Sequence, residues 1–166
     1  METVKKAKAK VGGHFDVTAY RNGAIIWQDR AENLVVNAGL DHMLDATLSG
    51  GTQITTWYVG LKGTGTPAAG DTIASHATWS EISDYTGDRK AWSDGGVSSQ
   101  SLSNSASKAS FAIDDTVTVY GAFLCSAETG TSGTLFCAGD FGTSKALENG
   151  DTLEVTYTIS AADDGA

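Results

Sequence analysis

Residues 14–27 read His-Phe-Asp-Val-Thr-Ala-Tyr-Arg-Asn-Gly-Ala-Ile-Ile-Trp and carry the clearest structural signal in this sequence. From His14 to Tyr20 the side chains alternate between two faces, which is typical of a strand with one buried face. Asn22-Gly23 follows at once, and a type I′ turn needs positive φ at both central residues, which Asn and Gly adopt readily. The segment therefore predicts a β-hairpin that turns at Asn22-Gly23.

Further strand-like segments lie C-terminal to this hairpin. Thr55 to Leu61 is β-branched and aromatic, and Val117 to Cys125 carries apolar residues on both faces, as a central strand does. Leu153 to Ile159 alternates apolar residues with Thr and Glu. With about eight such segments separated by turn residues, we predict an all-β fold, an antiparallel β-sandwich of jelly-roll-like type.

One segment has helical rather than strand periodicity, and Gly50-Gly51 ends it. We predict one short helix near residues 39–48, with its two Asp and one His side chains facing water. Its apolar stripe consists of Leu40, Met43, Leu44 and Leu48.

Composition limits the possible function classes. The chain of 166 residues has 20 glycines, one proline and a net charge of −9. This acidity argues against direct nucleic-acid binding, because neutralising phosphates requires Lys and Arg. No stretch approaches the roughly 20 apolar residues of a membrane span, so we expect no membrane partner. Nothing resembles a signal peptide, so we expect synthesis in a cytoplasm.

The positive charge is concentrated at the N-terminus, where four lysines fall within ten residues: Lys5, Lys6, Lys8 and Lys10. We therefore divide the chain into a basic N-terminal arm, residues 1–12, and a single β-sandwich domain, residues 13–166. The arm is either a solvated, frayed end or a segment that orders against an acidic partner surface.

The two cysteines, Cys125 and Cys137, lie about symmetrically around the loop 128–133. A disulfide across a hairpin is therefore conceivable. Reducing conditions and the tendency of Cys to lie in cores favour two buried thiols instead.

No combination of residues predicts catalysis, a metal site or a cofactor. His42 has Asp45 nearby on the predicted helix, which supplies at most two ligands, fewer than a zinc site needs. His76 follows Asp71 and Ser75, but no nucleophile elbow accompanies them. The glycines at 63 and 65 precede Pro67 rather than the Lys and helix of a phosphate-binding loop.

The aromatic residues between 79 and 92 admit two interpretations. Trp79 and Trp92 lie in a polar, glycine-interrupted segment, so they are either part of the core or exposed anchors for a partner. Arg89 and Lys90 beside Trp92 favour the second interpretation slightly. The candidate partner interface therefore comprises Lys5, Lys6, Lys8, Lys10, Trp79, Tyr85, Arg89, Lys90 and Trp92.

The running sequence from about Asn37 onward resembles a family of small structural proteins of tailed phages, described as capsid cement, head decoration or tail-fibre-like proteins. The resemblance is one of running sequence, without a catalytic signature. It lies in residues 57–72 (Trp-Tyr-Val-Gly-Leu-Lys-Gly-Thr-Gly-Thr-Pro-Ala-Ala-Gly-Asp-Thr), 75–79 (Ser-His-Ala-Thr-Trp), 85–92 (Tyr-Thr-Gly-Asp-Arg-Lys-Ala-Trp), 104–111 and 156–166.

The resemblance implies a β-sandwich that forms a homo-oligomer, dimer or trimer, on the capsid surface of a virion and binds the major capsid protein there. We therefore expect a capsid cement protein without enzymatic activity, made in the host cytoplasm. The alternative is a tail-fibre or receptor-binding module, with sugar binding through Trp79, Tyr85 and Trp92. An envelope hydrolase would need paired acids in a cleft, and the sequence identifies none.

Overall fold

The computed structural model describes residues 8–163, and these form eleven strands, one α-helix and one π-helical turn. The elements in chain order are β1 (Ala9–Arg21), β2 (Ala24–Glu32), β3 (Leu34–Val35), α1 (Asn37–Leu44), β4 (Trp57–Lys62), β5 (Glu81–Ile82), β6 (Lys90–Trp92), β7 (Ser101–Ser103), β8 (Ala109–Ala112), β9 (Val117–Cys125), β10 (Leu135–Leu147) and β11 (Thr152–Asp163).

Two antiparallel sheets contain all of these strands. The first has the order β2-β1-β11-β7, with β8 also paired to β11. The second has the order β3-β10-β9-β4-β5, with β6 also paired to β4. The inner faces of the two sheets bury one large hydrophobic core, so the predicted antiparallel β-sandwich is confirmed.

The hairpin predicted from Asn22-Gly23 joins β1 to β2. Asn22 has φ 50° and Gly23 has φ 78°, the positive values that a type I′ turn requires at both positions. On the other side, β1 pairs with β11 from Ala9 opposite Asp163 to Tyr20 opposite Thr152. The N- and C-terminal strands therefore lie side by side along the middle of the first sheet.

The core takes alternate side chains from both sheets, as strand geometry dictates. Phe15 and Val17 of β1 and Tyr157 of β11 are fully buried, and so are Val59 and Leu61 of β4. The rings of Phe15 and Tyr157 lie 4.7 Å apart. Burial of such side chains contributes about 1.5–3 kcal/mol each, so the central strands supply much of the stability of the sandwich.

The predicted helix is confirmed, and its two Asp side chains are exposed as predicted, but His42 and the leucines are not oriented as expected. Helix α1 continues into a π-helical turn, Asp45–Ser49, which ends at Gly50 with φ 78°. His42, expected to face water, is half-buried, whereas Leu44 is exposed. The reason is Gly39, which brings the helix so close to β10 that an added Cβ would lie 2.4 Å from the Phe136 carbonyl oxygen.

Both cysteines are buried and free, as predicted. Cys125 is opposite Leu135 and Cys137 is opposite Leu124 in the β9–β10 pairing. The two thiols also belong to different packing clusters: Cys137 lies in the core between the sheets and Cys125 among residues covering the second sheet. They are therefore not positioned as disulfide partners.

The N-terminal segment is only partly described. Residues 9–12 of the predicted arm form the beginning of β1, where Lys10 pairs with Ala162. Lys8 and Lys10 are exposed. Lys5 and Lys6 lie outside the described residues.

Candidate binding surface

Trp79, one of the predicted partner-interface residues, lies in the interior. The loop after β4 folds over the outer face of the second sheet and buries Trp79 together with Ile73 against Phe123. Its indole Nε1 donates to the Asp71 carboxylate at 2.8 Å, and the His76 ring stacks on it at 3.9 Å. Trp79 is therefore part of the protein interior and not an exposed anchor for a partner.

Lys62 holds the start of the same loop, and the sequence analysis did not identify it. Its side chain is fully buried, and its ammonium group pairs with Asp140 at 2.6 Å. It also donates to the carbonyl oxygens of Gly63 and Gly65. A buried cation is tolerated only when it is paired and hydrogen-bonded, so Lys62 fixes the loop to β10. The sequence feature that could have identified Lys62 is its position as a lone charge at the end of an apolar strand.

Tyr85 and Trp92 belong to the core between the sheets. The Tyr85 ring packs edge-on against Phe111 at 4.8 Å, and burial raises the pKa of its hydroxyl. The Trp92 indole donates to the Tyr157 carbonyl at 3.1 Å. Neither aromatic ring, nor that of Trp79, is presented at the surface to stack on a sugar.

Arg89 is a buried structural cation. It donates to both carboxylate oxygens of Glu81 at 2.7 Å, and to the carbonyl oxygens of Ala127 at 2.8 Å and Gly130 at 2.9 Å. The hydrogen bonds to Glu81 raise the pKa of Arg89 further. Arg89 thereby ties the β9–β10 loop to the segment between β5 and β6.

Lys90 is half-buried and also contacts its own chain. Its ammonium group donates to the Thr86 carbonyl at 2.7 Å and lies 5.3 Å from the Tyr85 ring centroid. The structure therefore does not gather the residues between 79 and 92 into one exposed patch. Their contacts within the chain keep two long loops in place.

An exposed apolar stripe occurs instead on α1 and the turn that follows it. Leu40 is 38% exposed, Leu44 60% and Leu48 80%. Their spacing of four residues places them along one side of the helical segment. We call these three residues the leucine ridge.

A crevice of about 240 Å³ lies where the helical segment meets strands of both sheets. The His42 ring meets the Trp57 ring edge-on at 5.6 Å, and Trp57 meets Phe136 at 5.5 Å. We call this space the helix crevice; it is lined by His42, Met43, Ala46, Thr47, Gln53, Ile54, Trp57, Trp92, Leu102, Leu124, Phe136, Tyr157 and Ile159.

Charged groups of both signs occur at this end of the sandwich. Ile159 lines the helix crevice, and beyond it β11 continues to Asp163 in a pairing with residues 9–12 of β1. This terminal ribbon carries the exposed Lys10 and Asp163, and the exposed Lys8 directly precedes it, whereas the helical segment carries the exposed Asp41 and Asp45.

Within residues 8–163, no three His, Cys, Asp or Glu side chains come together as a possible metal site. In the same range, no helix has the length and apolar character needed to cross a membrane.

One family model matches the chain, over residues 30–160. Its description is Gp80, Podophage GP4 fiber I protein gp80. The matched range begins within β2 and ends within β11, so it includes α1, the leucine ridge and every residue that lines the helix crevice. Among curated proteins, no match was found.

Proposed function

This chain belongs to the podophage GP4 fiber I protein gp80 family and is a phage structural protein, and from that premise we propose that it is a fibre module of the virion. It acts by binding other proteins and not by catalysis. The observation that carries this proposal is the family match over most of the sandwich. The fibre assignment was the alternative in the sequence analysis, and the family description now favours it.

The architecture supports a binding role because the loops are held rigidly by the chain itself. Lys62 fixes the loop after β4 through Asp140, and Arg89 fixes the β9–β10 loop through two carbonyl oxygens. A preorganised surface loses less conformational entropy on association than a mobile one. Such rigidity suits a protein that must keep its shape within an assembly.

Copy number per particle tests the fibre proposal. Quantitative gel densitometry of purified, DNA-filled particles would compare this chain with the major capsid protein. A fibre module predicts a few copies to a few tens of copies per particle. A stoichiometry comparable to that of the major capsid protein would contradict it.

A second candidate is a decoration protein that binds the major capsid protein on the capsid surface. The observation that favours it is the basic terminal ribbon with Lys8 and Lys10 on an otherwise acidic body, since such a ribbon would bind an acidic shell. This candidate predicts that purified chain adds to expanded heads that lack it. Failure to bind heads at low ionic strength, where charge attraction is strongest, would rule it out.

A further inference from the structure

We infer that Asn22, in the turn between β1 and β2, is a site of spontaneous covalent modification that converts its side-chain amide into a carboxylate. The same dipeptide occurs again at Asn149-Gly150, and the fold protects that copy. The inference goes beyond the proposed function and does not depend on it, because the reaction needs only water as a co-reactant.

The chemistry is intrinsic to an asparagine that precedes a glycine. Once the Gly23 amide has lost its proton to hydroxide, its nitrogen attacks Cγ of Asn22. The Cγ–Nδ2 bond breaks as Nδ2 takes a proton from water and leaves as ammonia. The cyclic succinimide then adds water at either carbonyl and opens to an aspartate or an isoaspartate, and no electrons are transferred. Glycine favours ring closure because it has no Cβ to obstruct the attack.

In the β1–β2 turn both reacting groups are free. Asn22 and Gly23 are exposed and line a surface recess of about 340 Å³, which gives water access to them. Among the described residues, 8–163, neither the Gly23 amide nor the Asn22 side chain has a hydrogen-bond partner. Only the turn conformation itself therefore has to change before the Gly23 nitrogen can reach Cγ of Asn22.

At the second copy of the dipeptide both reacting groups are held. The Gly150 amide donates to the Ile113 carbonyl oxygen at 2.9 Å, and Nδ2 of Asn149 donates to the Asp114 carbonyl oxygen at 2.7 Å. Asn149 and Gly150 are exposed like the first pair, so exposure does not distinguish the two sites. Two hydrogen bonds must break before Asn149 can react, and we expect this to slow its reaction about tenfold.

The two products differ in their effect on the hairpin. Asn22 has φ 50° and Gly23 has φ 78°, and an aspartate at position 22 keeps this type I′ turn because Asp-Gly favours it as well. An isoaspartate adds a carbon to the main chain, so a two-residue loop no longer fits the register of the two strands. Either product adds a negative charge next to Arg21, which binds Glu148 and Asp151.

Peptide mapping by mass spectrometry tests this inference on the purified, folded chain after incubation in mildly alkaline buffer. Trypsin releases Asn22 in the peptide 22–30 and Asn149 in the peptide 146–166, so one digest gives both rates. We expect Asn22 to be converted about tenfold faster than Asn149. In urea concentrated enough to unfold the chain, the two rates should converge, because both sites are Asn-Gly and the protecting hydrogen bonds are gone.

Two variants and a second measurement serve as controls. Asn22→Gln should abolish the acidic species that accumulates first on isoelectric focusing, whereas Asn22→Asp should focus with that species from the start. Amide hydrogen exchange checks the physical cause, since the Gly23 amide should exchange faster than the Gly150 amide. Equal conversion of Asn22 and Asn149 in the folded chain, a difference that persists in urea, or an Asn22 that stays unmodified would overturn the inference.

Discussion

At the scale of single residues, most polar side chains buried in this sandwich have a hydrogen-bond partner within the chain. The Asn104 side chain, fully buried, accepts from the Tyr157 amide at 2.7 Å and donates to the Val155 carbonyl. It thereby connects the β7–β8 loop to β11. An unpaired buried polar group costs more than a formed hydrogen bond contributes, so these residues specify which loop lies where.

Arg89→Met should destabilise the protein by about 2–4 kcal/mol, because it leaves the Glu81 carboxylate and two loop carbonyls without their donor. Chemical denaturation monitored by tryptophan fluorescence measures the change. The matched control is Arg30→Met, since Arg30 binds Asp16 through two nitrogens but is exposed. If the two variants lost equal free energy of unfolding, the burial of Arg89 would not determine how much it contributes to stability.

Asp151 makes stability depend on pH. Both its oxygens accept from Arg21 at 2.8 Å, and this interaction lowers the pKa of the carboxyl below its ordinary value of 3.8. The folded form therefore favours the ionised carboxylate. The contribution of Asp151 to the free energy of unfolding is fully present above the unfolded-state pKa and is lost as the pH falls through the folded-state pKa.

Asp151→Asn should consequently lower the free energy of unfolding at pH 7 and flatten its decline below about pH 4. Urea denaturation at a series of pH values checks this. Asp88→Asn is the control, because it removes the charge of an exposed Asp. An acid limb equally steep in Asp151→Asn and in the wild type would contradict the assignment.

At the scale of elements, local sequence determines most of the strands but not what covers them. The β1–β2 hairpin follows from alternation and a turn dipeptide, both of which are local. The burial of Trp79 depends on Phe123, far away in sequence, and Arg89 reaches carbonyls about forty residues later. No periodicity in residues 79–92 indicates these distant partners. From the sequence, Trp79 and Arg89 could therefore be either buried or exposed.

The helix shows the complementary limit of sequence analysis. Spacing predicted a helical segment that ends at Gly50, as α1 and the π-helical turn together do, but not which side packs inward. The leucines gave the strongest apolar stripe, yet the close approach of Gly39 to Phe136 turns the side bearing His42 and Met43 toward the sandwich. Local hydrophobicity alone therefore assigned the wrong side of this helix to the core, because its largest apolar residues face outward.

Gly39→Ala tests this explanation of the helix position. In an unconstrained helix the change stabilises by up to about 1 kcal/mol. Here the new Cβ would lie 2.4 Å from the Phe136 carbonyl oxygen, so we expect destabilisation of about 1–3 kcal/mol. Thermal unfolding measures the sign, with Gly12→Ala as control because nothing lies within 4 Å of a Cβ added there. A stabilised Gly39→Ala protein would refute the close approach.

At the scale of the whole molecule, the sandwich carries an exposed apolar projection, the leucine ridge. The opposite end of β1 turns at Asn22-Gly23, whereas the helical end carries the leucine ridge, the crevice and the charged terminal ribbon. Function in a virion then follows from which surfaces are left exposed. The sequence resemblance and the family match agree on a phage structural protein.

Immunogold labelling of intact particles tests the fibre assignment most directly. Antibody raised against the purified chain would be applied to whole virions and to tail-less heads, and the gold positions recorded by electron microscopy. We predict label confined to the tail end of virions and absent from isolated heads. Gold distributed over the head surface in both preparations would contradict the fibre assignment.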